Sequence, residues 1–243
     1  MRLPHVPSAT KRTGSGRGIC NLVDLENLPR SKASIVLNEQ HIEFPGPAGL
    51  LEGLLGNESA IQNGVVVALH PHPQFGGSMN NNVVEVIVRA GQSAGMATLR
   101  FNFRGMGRSE GEFSGGMGEQ DDIRAALDFL EQGFDVGTKV LAGYSFGAVV
   151  ALAYCYRQEN NADHLLLVSP PPFLMPEGVS LDASVVRKII VGEEDEMAPP
   201  EEIKKRVTTS RQEELIEVIP GTDHFFGGRE DDLEKRLVKL LED

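Results

Sequence analysis

The sequence predicts an α/β fold: a mostly parallel, eight-stranded sheet flanked by helices on both faces, with no cap domain. Three observations carry this. After one initial antiparallel pair, strand and helix patterns alternate along the chain, as they do where crossover helices join parallel strands. Segments such as Val65-Val66-Val67-Ala68-Leu69 are apolar throughout rather than alternating, which is how strands buried on both faces read. Finally, K-V-L-A-G-Y-S-F-G-A-V-V, from Lys139 to Val150, passes from a short strand through a glycine-flanked serine into a helix. A chain of 243 residues is long enough to bury one large core.

Residues 1–34 stand apart. They hold six Lys or Arg against two Asp or Glu, carry Pro4, Pro7 and Pro29 among scattered glycines, and sustain no helix or strand period. They read as a disordered extension or the product of an upstream start codon. The first 23 residues are basic without an acid, so a targeting presequence ranks second, since no amphipathic helix is evident. The folded domain is expected over 35–243. Ile35 to Phe44 alternates as an exposed strand, Pro45-Gly46-Pro47 is a turn, and Leu50 to Leu55 is the partner strand. Val65 to Leu69 follows. Ser78-Met79-Asn80 offers caps for a helix carrying Val83, Val84, Ile87 and Val88 at helical spacing. Met96 to Phe103 is the next strand and Glu119 to Glu131 the next helix. The segment around Ser145 leads into a helix ending near Arg157. His164–Val168 and Lys188–Val191 are buried-type strands. Between them three consecutive prolines, Pro170 to Pro172, oppose a helix, and about twenty residues leave no room for a cap domain. Pro199 to Val207 is a helix, Leu215 to Ile219 the last strand, and Leu233, Leu237, Leu240 and Leu241 mark a closing amphipathic helix.

Bulk properties exclude several functions. A net charge of −12 argues against a nucleic-acid binder and disfavours anionic membranes. No apolar run approaches the ~20 residues of a membrane span, and no apolar core of a secretory signal is seen. Two distant cysteines, Cys20 and Cys155, make no disulfide framework, so the expected location is cytoplasmic.

In open α/β sheets ligands bind outside the carboxyl ends of the strands. Just past those ends stand His70-Pro-His72-Pro-Gln-Phe-Gly-Gly, Arg104-Gly-Met-Gly-Arg-Ser109, Gly143-Tyr-Ser145-Phe-Gly147, Gly192-Glu-Glu-Asp195 and Pro220-Gly-Thr-Asp-His224. The pattern Gly143-x-Ser145-x-Gly147 is that of a nucleophile elbow, a strained turn that exposes a serine hydroxyl above a helix N-terminus. An ordinary strand-to-helix turn is the plainer alternative. A serine, an acid and a histidine thus occur in the order Ser…Asp…His on one rim. The first oxyanion donor is expected at Phe146 N, directly after the serine. The second belongs to the loop after Leu69, where Pro71 and Pro73 have no N–H, leaving His72, Gln74 and Phe75. His70-x-His72 lacks a third ligand for a catalytic zinc, so neither metal nor cofactor is expected. Arg104 and Arg108 read as braces, with Arg104 pairing Asp121 or Asp122, rather than as an anion clamp. Phe75, Tyr144, Phe146, Phe173 and Met175 are candidates to line an acyl pocket, or are simple core.

With H-P-H-P-Q-F-G-G-S-M, N-F-R-G-M-G-R-S, the serine turn and the two later loops in order, the chain resembles the small, lidless bacterial α/β-hydrolases over roughly Ile42 to Leu241. The resemblance implies the α/β-hydrolase fold. Residue by residue it implies Ser145 as nucleophile, Asp195 as acid within G-x-x-D-x-x-x-P, and His224 as base. It points to His72 as the second oxyanion donor. A solvated acidic turn is the competing reading for Asp195, since Glu193, Glu194 and Glu196 flank it. The implied activity is hydrolysis of a carboxylic ester of a small-molecule acyl substrate through an acyl-enzyme. Thioesterase, amidase, peptidase or acyltransferase chemistry on the same groups stays open, as does a non-catalytic binding protein. The sequence leaves the oligomeric state open.

Overall fold

The chain enters the sheet through a hairpin. β1 (Glu39–Gly46) pairs antiparallel with β2 (Gly49–Gly56), and the Gly46↔Gly49 pair leaves Pro47-Ala48 as a two-residue turn. The expected turn at Pro45–Pro47 therefore falls one residue later, with Pro45 inside the strand. β1 is the outermost strand, where a missing N–H costs no ladder bond. The computed structural model describes residues 37–157, 160–181, 184–207 and 212–242. The expected extension at 1–34 and the expected strand start at Ile35 lie outside the described residues.

After the hairpin come β3 (Val65–Leu69), α1 (Asn82–Ser93), β4 (Ala97–Phe101), α2 (Met117–Gly133), β5 (Lys139–Tyr144), α3 (Phe146–Cys155) and β6 (His164–Val168). The chain closes with β7 (Val186–Gly192), α4 (Pro200–Arg206), α5 (Gln212–Leu215), β8 (Ile216–Ile219) and α6 (Glu230–Glu242). The sheet order is β1-β2-β4-β3-β5-β6-β7-β8. β2 runs antiparallel to β1 and β4, and every other neighbouring pair is parallel.

Local chemistry explains the places where boundaries differ from expectation. α1 is capped by Asn81, whose Oδ1 accepts the Val83 N–H at 2.9 Å, rather than by Ser78–Asn80. α2 starts two residues early because the buried Glu119 carboxylate accepts the N–H groups of Ser114 and Gly116, at 2.8 and 2.7 Å. Leu215 belongs to the one-turn helix α5, so β8 begins at Ile216. Between β6 and β7 the described residues hold a single 3₁₀ turn, Pro172–Leu174, and no cap domain.

Alternate residues of the central strands feed two cores. Val65, Val67 and Leu69 of β3 pack with the α2 and α3 residues Ile123, Leu127 and Leu152. Val66 and Ala68 face the other way, onto Val83 and Ile87 of α1 and Leu233 and Leu237 of α6. The chain order reverses around β3, which has β4 on one side and β5 on the other. That switch point opens a crevice between the loops that leave β3 and β5.

Candidate active site

Register brings the first two predicted segments together. Leu69 pairs with Gly143, so the His-Pro-His-Pro loop and the serine turn leave the sheet side by side. Ser145 sits between β5 and α3 at φ 54°, ψ −119°, a conformation that L-residues rarely hold. Surrounding contacts enforce it. The Ser145 N–H donates to Val168 O of β6 at 2.9 Å. A Cβ on Gly143 would stand 2.5 Å from Ala148 N, and one on Gly147 would stand 2.5 Å from Leu69 O and 2.7 Å from His70 O. Only glycines let strand, helix and the neighbouring loop close on the serine this tightly.

Two further loops approach from the other side of β5. The Glu193 N–H donates to Ile219 O and the Glu194 N–H to Thr222 O, each at 2.9 Å, locking the loop after β7 to the loop after β8. Asp195 and His224 are 2% and 4% exposed. Asp195 is therefore no solvated acidic turn, although Glu193, Glu194 and Glu196 around it are exposed. Its Oδ1 accepts the N–H groups of Met197 at 2.9 Å and Ala198 at 2.7 Å. His224 Nδ1 lies 2.9 Å from Asp195 Oδ2, and Nε2 lies 3.0 Å from Ser145 Oγ. A carboxylate can only accept, so Nδ1 carries the proton and Nε2 accepts from the serine hydroxyl. Tyr144 supports the loop from behind, its hydroxyl donating to His224 O at 2.9 Å.

Burial pushes the Asp195 carboxyl up, but hydrogen bonds from His224 and the Ala198 N–H, the nearby Ser169 hydroxyl and the charge His224 can carry outweigh it and hold the group below its ordinary value. Ser169 is fully buried at φ 46°. Its hydroxyl faces this carboxylate but outside good hydrogen-bond geometry, and it has no other partner among the described residues.

Among the described residues, neither Phe146 N nor His72 N has a protein acceptor. Gln74 N and Phe75 N, the other candidates in that loop, are engaged by His72 Nδ1 at 3.3 Å and His72 O at 3.1 Å. The His72 and Phe146 rings lie 4.8 Å apart. His70 is fully buried beneath the loop. Its Nδ1 donates to Pro71 O at 2.7 Å while Nε2 accepts the Phe103 N–H at 3.1 Å. Desolvation lowers its pKa to about 4. Both nitrogens are occupied by backbone, which fits a loop-shaping role.

Arg104 makes a two-nitrogen contact to Asp122 at 2.7 and 3.1 Å, while Asp121 pairs with Arg157 at 2.5 Å. Arg108 Nε meets Glu52 at 3.0 Å, and Glu52 also accepts from Asn102 Nδ2 at 2.7 Å. Both arginines brace the loop after β4. Glu52 lies 56 residues from Arg108, and no local pattern marks it.

Of the residues expected to line a pocket, Phe146 does so and the others disperse. Phe75 and Phe173 are 83% and 68% exposed, Met175 is packed into the core, and Tyr144 is buried behind His224. The cavity beside His72 and Phe146 is lined instead by Phe113, Met117, Leu174 and one face of α3. That face, Phe146, Val149, Val150 and Ala153, follows helical spacing from the serine turn and was readable in the sequence. A larger cavity, about 590 Å³, opens between the β1–β2 turn and α2, with none of the sequence-predicted site residues in its wall. Proximity to the chemistry, not size, selects the smaller one.

The family profile described as alpha/beta hydrolase fold matches residues 71–210. The chain belongs to the alpha/beta hydrolase fold family. Its similarity to individual proteins spans most of the chain. A Rickettsia prowazekii protein described as uncharacterized is 33% identical over 215 residues, 82% of this chain and 87% of its own. An alpha-beta serine hydrolase homologue from Coxiella burnetii is 32% identical, with a TM-score of 0.70 over 84% of this chain and 98% of that one. A Xanthomonas campestris protein described as an α/β serine hydrolase without lid is 31% identical, with a TM-score of 0.75 over 84% and 93% of the two chains. Among the described residues of this alpha/beta hydrolase, no helix is long and apolar enough to cross a membrane.

Proposed function

We propose that the protein is a serine hydrolase that cleaves a carboxylic ester of a small, uncharged substrate through an acyl-enzyme. The observation that carries the reading is the His224 ring bridging Ser145 Oγ at 3.0 Å and Asp195 Oδ2 at 2.9 Å. Ser145 Oγ attacks the ester carbonyl carbon while His224 Nε2 takes its proton. Asp195 holds the imidazole in the Nδ1–H form and stabilises the imidazolium. The carbonyl oxygen becomes an oxyanion facing the N–H groups of Phe146 and His72, each such donor worth about 3 kcal/mol of barrier. His224 then protonates the departing alkoxide, leaving an acylated Ser145. Water repeats the sequence, its proton passing to His224 and then back to Ser145 Oγ as the acid departs. Among the described residues no cap domain covers the rim, which suits direct entry of substrate.

Labelling with a fluorophosphonate probe tests this. The native protein should label at Ser145, and Ser145→Ala should lose both label and turnover of nitrophenyl esters. Native protein that stays unlabelled where another serine hydrolase labels would sink the reading.

A further inference from the structure

The cavity beside the two oxyanion donors is a groove of about 190 Å³. Its floor is one face of α3, where Phe146, Val149, Val150 and Ala153 stand at i, i+3, i+4 and i+7. Seven residues at 1.5 Å each give a floor on the order of 10 Å long. Phe113, Met117 and Leu174 complete the apolar lining. The Phe113 ring packs at a tilt against both His72 and Phe146, at 5.0 and 5.7 Å between ring centres, so the groove and the candidate oxyanion site share a boundary. His72 and Gln120 are its polar lining side chains. His72 Nδ1 accepts from Gln74 N, and Gln120 Nε2 donates to Gly116 O, so both have work inside the protein. Among the described residues, no carboxylate, ammonium or guanidinium belongs to the lining.

The geometry points to this groove as the site of the acyl chain, and to an uncharged, unbranched acyl group of medium length as what it takes. The inference rests on Ser145 being the nucleophile. A carbonyl oxygen held by Phe146 N and His72 N places the carbonyl carbon at Ser145 Oγ and one substituent at the mouth of the groove. The volume lies below the ~300–1,000 Å³ of pockets that enclose drug-sized ligands, and a single chain laid along the floor suits it. A terminal carboxylate on the chain would be desolvated with no cation to meet it. Each methylene that enters should raise kcat/KM by up to about fourfold, until the chain passes Ala153 and returns to solvent.

The test uses the native chain and nitrophenyl esters with a fixed leaving group, from acetate through butyrate, hexanoate and octanoate to palmitate, below their aggregation concentrations. kcat/KM should climb from acetate to octanoate and fall at palmitate, and the hemisuccinate ester should be poorer than butyrate. Ala153 is half-buried at the far end of the floor. Ala153→Phe should cut octanoate turnover about tenfold and leave acetate within twofold. Leu174→Ala, which removes bulk instead of adding it, should move the optimum to longer chains and covers the case in which Ala153→Phe does not fold. A second series, acetate esters of lengthening alcohols, should respond to neither variant. Variants that change all chain lengths equally, or none, overturn the groove assignment, as does an effect confined to the alcohol series. Absent fluorophosphonate labelling at Ser145 overturns the hydrolase reading itself, whereas labelling with an unmoved chain-length profile overturns the groove alone.

Discussion

The loop after β3 and the loop after β8 each bury a histidine with both ring nitrogens engaged. His70 lies between a backbone carbonyl and a backbone N–H. His224 lies between a carboxylate and a serine hydroxyl. Of the first pair, the carbonyl favours an added charge by less than burial opposes it and the N–H offers no acidic proton, so the ring stays neutral, with its pKa lowered to about 4. The second pair supplies a proton on one side and a negative charge on the other, which is what a general base needs. The two rings are about equally buried. The chemistry of their partners separates them.

Substituting both histidines in the same way breaks this comparison most directly. On the proposed function, His224→Gln lowers kcat by on the order of 10⁶-fold with the fold retained, whereas His70→Gln leaves turnover at the same order of magnitude. Steady-state kinetics alongside circular dichroism checks both. Next in size is Asp195→Asn, which keeps the packing but favours the wrong imidazole tautomer, and costs about 10⁴-fold in kcat. Gly147→Ala probes the junction between the two regions. Its Cβ would fall 2.5 Å from Leu69 O, push the His72 loop off the elbow, and lower kcat by about 10²–10³-fold, with fluorophosphonate labelling slowed rather than lost.

The smallest effect sharpens the comparison through pH. The His70 pKa is depressed on folding, so between about pH 6.5 and 4 the unfolded chain binds a proton that the folded chain refuses. The full contribution of this site is present above pH 6.5 and about 3 kcal/mol is lost as pH falls to about 4. Urea unfolding across that window should show a shallower decline for His70→Gln, which has donor and acceptor capacity but does not titrate. Equal slopes for the two proteins would mean that His70 is not held neutral in the fold.

What was legible follows from how local each feature is. Val65–Leu69 and Lys139–Tyr144 read as buried strands because both faces of each are apolar over consecutive residues. The turn at Gly143–Gly147 read as a strand-to-helix corner because its two glycines and the serine are adjacent. The hairpin turn slipped by a residue because Pro45 is a turn signal everywhere except on an outermost strand, and strand order is a tertiary fact. The cap of α1 moved to Asn81 because several of the residues before it have capping side chains and packing selects one. Phe75, Tyr144, Phe173 and Met175 are loop or near-loop aromatics and a methionine close to the right strands, but proximity in sequence does not say which side of a loop faces the serine. The pocket wall on α3 follows from the serine turn by helical spacing alone. Phe113, Met117 and Leu174 do not, since they come from segments linked to it only through the sheet order.

By itself, the sequence determined the strand–helix alternation, the parallel sheet and the order in which serine, acid and histidine leave its carboxyl edge. These depend on apolar periodicity and short-range turn chemistry, which are written in consecutive residues. Only the tertiary structure decided that the three side chains lie within 3.0 Å of their neighbours. It also decided that, of His72, Gln74 and Phe75, His72 keeps its N–H unengaged among the described residues, and that the described lining of the groove beside it carries no charged side chain. Those facts depend on register between strands far apart in the chain and on close approaches at Gly143 and Gly147, where loops pack across the sheet.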